Sequence, residues 1–84
     1  MKLWLLRPIE KSGLWDPWYD KAFGFVVRAK TEEDARSFAQ AEGGAETEWG
    51  RGRNPAWTSQ EHSTCIELFP EGEEGVIIKD FAAA

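Results

Sequence analysis

Two side chains in this sequence carry chemistry at close spacing: His62 and Cys65, three positions apart, with Glu61 and Glu67 nearby. An imidazole beside a thiol is the raw material of a nucleophile and its base. Such a site also needs an orienting group and an oxyanion hole. Zinc needs a spaced set of ligands, and the chain holds one histidine and one cysteine. A cysteine in a strand entering a core is more often a small hydrophobe. A second candidate, Gly50-Arg51-Gly52-Arg53, has the residue types of a phosphate cradle, but it follows no strand and matches neither a P-loop nor a dinucleotide fingerprint. The expectation is therefore no catalytic residue, no metal and no cofactor, with a small enzyme using His62 and Cys65 as the alternative.

The most distinctive residues are aromatic. Trp15-Asp16-Pro17-Trp18-Tyr19-Asp20 sets three large rings in six positions, and Trp49 and Trp57 flank the arginines 51 and 53. The chain has 84 residues with five tryptophans and five phenylalanines. Each such ring buries roughly 150–250 Å², so the set serves either as a dense core or as anchors for a partner. Fifteen acidic against ten basic residues leave a net charge of -5. That balance disfavours direct nucleic-acid binding, because phosphate contacts need cations. Cys65 alone makes no intramolecular disulfide. Leu3-Trp4-Leu5-Leu6 is too short for a signal-peptide core, and no stretch approaches the ~18 apolar residues of a spanning helix. A single small domain in the cytoplasm is expected.

The elements that must position these residues follow from periodicity. Residues 2–7 read as a strand apolar on both faces, Leu3 and Leu5 against Trp4 and Leu6, which places it centrally and leaves one face needing cover. Pro8 ends it. Residues 8–21 form a long loop. A second strand spans 22–29, with Phe23, Phe25, Val27 and Ala29 alternating against Gly24, Val26 and Arg28. Thr31 caps a helix over 31–42 whose first turn holds Glu32, Glu33 and Asp34, complementing the macrodipole, and Gly43-Gly44 closes it. Ala35, Phe38 and Ala39 form its apolar stripe, expected to pack on Phe23, Phe25 and Val27. Residues 45–61 read as irregular, 63–69 as a third strand and 76–81 as a fourth, joined by a hairpin through Gly72 and Gly75. The fold class is α+β: order β-β-α-β-β, a four-stranded, largely antiparallel sheet with one helix on one face.

A helix of about 18 Å runs back the length of the second strand, so both long loops meet at one pole. Trp15, Trp18, Tyr19, Trp49, Arg51, Arg53 and Trp57 gather there as the expected partner-binding surface. Glu32, Glu33, Glu73 and Glu74 lie at the other pole.

Residues 16–21 followed by Phe23-Gly24-Phe25-Val26-Val27-Arg28-Ala29 and the acidic helix start with Ala35-Arg36 resemble a family of small uncharacterised bacteriophage and prophage proteins. The similarity continues through Ser63-Thr64-Cys65 and the 75–81 stretch. The resemblance implies a phage or mobile-element origin and carries no catalytic residues across. In size and charge such proteins are similar to anti-CRISPR and other host-takeover inhibitors. The expected function is a non-enzymatic binder of a host protein or ribonucleoprotein, such as a CRISPR-Cas effector. The alternative is a virion-associated or structural module, including a homodimer that buries its uncovered sheet face.

Overall fold

The computed structural model describes residues 1–15, 20–49 and 52–79. β1 (Lys2–Pro8) is followed by a 3-10 turn at Glu10–Ser12, then β2 (Phe25–Ala29) and α1 (Glu32–Glu42). A second 3-10 turn at Ala45–Thr47 leads into β3 (Glu48–Trp49) and β4 (Gly52–Arg53), and β5 (Ser63–Leu68) completes the order. The protein is α+β. Its principal sheet has three strands in the order β2-β1-β5, with β1 antiparallel to both neighbours. β2 and β5 therefore run parallel with β1 between them, and α1 lies in the connection from one outer strand to the other. β1 is central, as its two apolar faces require.

Three expectations need correction. Residues 76–79 form no strand, so the sheet has three strands instead of four, while the segment expected to be irregular contains the two-stranded β3–β4 ribbon. β2 begins at Phe25, three residues late. The ladder stops there because Pro8 cannot donate to the next pair, and because residues 20–22 are tied elsewhere: the Ala45 amide donates to the Asp20 carbonyl (2.7 Å) and the Ala22 amide to Glu46 Oε1 (2.9 Å). The third correction concerns the helix. α1 buries Ala35, Arg36 and Ala39, while Phe38 is 59% exposed and Phe23 is also exposed. Ala35 and Ala39 stay in the buried stripe, and Arg36 replaces Phe38 as its third member, which turns the stripe by roughly 50° from the one that apolarity suggested.

The ends of α1 follow local chemistry. Thr31 Oγ1 accepts from the Asp34 amide at 3.1 Å. Gly43 and Gly44 are required for close approach. A β-carbon on Gly43 would lie 2.6 Å from the Thr47 side chain, and one on Gly44 would press on the Asp20 carbonyl.

One face of the sheet carries the core. Trp4 and Leu6 of β1, Ala29 of β2, Ala35 and Ala39 of α1, and Trp15, Ala56 and Trp57 from the loops form one buried cluster, with Phe25, Val27 and Cys65 against it. Trp57 stands edge-on to both Trp15 and Phe25, with centroids 4.9 Å away in each case. The alanines of α1 leave the volume that the large indole of Trp57 fills.

Candidate functional site

Burial of three indoles demands partners for their N–H groups. Trp4 donates to the Ala29 carbonyl (3.1 Å), Trp15 to the His62 carbonyl (3.0 Å) and Trp57 to Glu46 Oε2 (2.6 Å). Glu46 is itself buried, and its carboxylate also accepts from the amides of Ala22 and Gly44. On the other side of Trp57, the buried Arg36 donates to the carbonyls of Trp57 (3.0 Å) and Ser63 (3.2 Å), to Ser63 Oγ (3.0 Å) and, through Nε, to Glu32 (2.9 Å). Gln40 clasps the same loop, accepting from the Trp57 amide and donating to the Asn54 carbonyl. Two buried charges and one amide thus pin the 54–63 segment onto the helix. A buried charge is tolerated only when its hydrogen bonds are made, and these are.

This arrangement corrects two residues of the expected binding pole. Trp57 is fully buried and Trp15 nearly so, which makes them interior residues rather than exposed anchors. The physical reason is that Trp57 sits between a buried cation and a buried anion that hold both its backbone and its ring. Trp18, Tyr19 and Arg51, together with the side chains of Trp49 and Arg53, lie outside the described residues. Arg36 and Glu46 were not singled out in the sequence. Their partners lie up to 27 positions away, and the only local signal was an arginine on the alanine side of the helix.

His62 and Cys65 are not assembled into a site. No hydrogen bond joins them among the described residues. The His62 carbonyl is occupied by Trp15 Nε1 and the Ile9 amide, and Cys65 packs against the core. Burial pushes the Cys65 thiol up, opposed in part by the nearby Arg36 charge. A raised thiol is a poorer nucleophile at neutral pH because less of it is thiolate. Among the described residues no group of three or more His, Cys, Asp or Glu side chains comes together. No helix among them is long and apolar enough to cross a membrane.

The surface that stands out is the sheet face turned away from α1. The pairing register sets Val26, Leu5 and Ile66 in one row across the three strands and Arg28, Leu3 and Leu68 in the next. Arg7 stands beside Thr64 beyond the first row. Val26 is 58% and Ile66 55% exposed, and Leu3 is exposed as well. Only Leu5 is buried, in a groove that Phe23, Val26 and Ile78 share with it. Among the described residues neither Arg7 nor Arg28 has an acidic partner; the ion pairs are Lys2–Glu67 and Arg36–Glu32. A chain of net charge -5 therefore presents an apolar, cationic face. The sequence had shown that one face of β1 would need cover, through Leu3 and Leu5 or through Trp4 and Leu6; the structure assigns the deficit to Leu3 and Leu5. Compared with family models, curated proteins and solved structures, the chain matches none of them.

Proposed function

We propose that this protein is a non-enzymatic binding protein of phage type, acting in the host cytoplasm by occupying a surface of a host protein or ribonucleoprotein such as a CRISPR-Cas effector. One observation supports the binding reading: the uncovered row Val26–Leu5–Ile66, bordered by two arginines that have no carboxylate partner among the described residues. Monomeric proteins seldom leave an apolar strip of this kind across the middle of a sheet, and a polar rim around it is the usual composition of an interaction surface. Arginine is the cation best suited to such a rim, because its stem packs on apolar groups while the guanidinium pairs with carboxylates. The phage setting rests on the resemblance alone, carried by residues 16–36, 63–65 and 75–81.

The test has two arms. Tagged protein is used to capture partners from host lysate, in parallel with the Val26→Asp, Ile66→Asp double variant, and both are co-expressed with a CRISPR-Cas interference reporter. The expected result is one stoichiometric partner and loss of interference, both abolished in the variant. A partner retained by a folded variant would move the site off this face. Capture with intact interference would keep the binder and remove the CRISPR-Cas target.

A further inference from the structure

We propose that the outer edge of β2 takes an added strand, and that the strand is the segment Glu71–Lys79 of a second copy of this chain. The proposal rests on the reading of the open face as a binding surface and specifies one occupant for its β2 side.

The edge is open. β2 pairs with β1 alone, so alternate N–H and C=O groups along its other side have no ladder partner among the described residues. Two apolar grooves lie along β2, on opposite faces of the sheet and towards its two ends. On the open face lies the groove of Leu5, Phe23, Val26 and Ile78. On the helix side lies a second, formed by Met1, Ala29 and the exposed Phe38, with Arg28 and Lys30 at its border and Asp34 opposite them. An added strand projects successive side chains to opposite faces, so it would extend the apolar surface on both sides of the sheet.

The chain carries a segment with the matching chemistry. Glu71, Glu73 and Glu74 precede Val76-Ile77-Ile78, three β-branched residues of high strand propensity that nevertheless form no strand here. Val76 is 83% and Ile77 74% exposed, and only Ile78 reaches the sheet. No backbone hydrogen bond to the rest of the chain is made by residues 70–78 among the described residues. In its own subunit the segment thus leaves two of three apolar side chains in water. Reach permits exchange: eight residues from Leu68 to Val76 span up to about 26 Å. Charge selects the occupant, since β2 ends in Arg28 and Lys30, neither paired with a carboxylate among the described residues, and the incoming segment begins with three. Two β2 edges would instead repel one another. In an antiparallel register with Ile77 opposite Val27, Ile77 lies on the helix side between Phe25 and Ala29, while Val76 and Ile78 lie on the open face beside Arg28 and Val26. Reciprocal exchange closes a two-fold dimer.

Sedimentation equilibrium on the full chain tests this, with Glu71, Glu73 and Glu74 changed to Lys, Arg28 and Lys30 changed to Glu, and both sets combined. All five positions are exposed, so the fold should survive. The expected result is a wild-type dimer, a dissociation constant raised about tenfold or more by either reversal, and recovery in the combination. Hydrogen exchange should show the outer-edge amides of β2 gaining protection as the dimer forms. A monomer at every concentration, or a dimer indifferent to both reversals, overturns the proposal. A monomer that still captures a host partner through Val26 and Ile66 leaves the binder reading standing; a tail-dependent dimer that captures nothing removes that reading and keeps this one.

Discussion

The two faces of one three-stranded sheet differ in how their polar groups are used. On the helix face the charged groups are spent inward: Arg36 and Glu46 are buried, each with several hydrogen bonds, and between them they hold Trp57 at the centre of the core. On the opposite face Arg7 and Arg28 border the apolar row of Val26, Leu5 and Ile66 and pair with no carboxylate among the described residues. In a chain this small, about 60% of the unfolded surface is buried on folding, which leaves too little material to cover both faces. The aromatic loops were committed to one face. The other was left apolar, and its charges remain available to a partner.

Truncation should expose this contrast first through Trp57. Trp57→Ala is expected to cost about 3–5 kcal/mol of stability in denaturant unfolding, because it opens a cavity and removes a donor from Glu46. A cost under about 1 kcal/mol would mean that Trp57 is not the centre of the closed face. Arg36→Ala should follow at about 3 kcal/mol, since Trp57 and Ser63 lose the guanidinium that satisfies their buried carbonyls. Phe38→Ala, by contrast, should cost less than about 1 kcal/mol, as its ring is mostly in solvent. A loss near 3 kcal/mol would restore the apolar stripe inferred from sequence and reverse the observed helix rotation.

The open face should respond differently. Val26→Asp with Ile66→Asp is expected to change stability by about 1 kcal/mol or less while abolishing partner capture, the opposite of the pattern at Trp57. A large stability loss would show that this face is covered within the monomer. The smallest effect concerns Cys65. Its raised thiol stays protonated to higher pH than an ordinary cysteine, so alkylation by iodoacetamide should be slow at neutral pH and accelerate only as pH rises past the usual thiol range. Rapid labelling of the folded protein at neutral pH would place the thiol in a more open or more cationic setting.

Local pattern was sufficient for several elements. Thr31 before three acids started the helix where it starts, Gly43-Gly44 ended it, and the doubly apolar run Leu3–Leu6 put β1 in the middle of the sheet. These features depend on residues within one turn or one strand, where propensity and capping act. What only the tertiary structure decided involves partners far along the chain. Arg36 turns inward because carbonyls 21 and 27 positions away meet its guanidinium, and Phe38 turns outward as a result. Trp57 became core rather than anchor because Glu46, Gln40 and Arg36 converge on it. The apolar Val76-Ile77-Ile78 had the composition of a fourth strand and no edge in its own subunit that it pairs with. Apolarity and period state that a face must be buried; which neighbour buries it is set by long-range hydrogen bonds and volume, and no local window contains them.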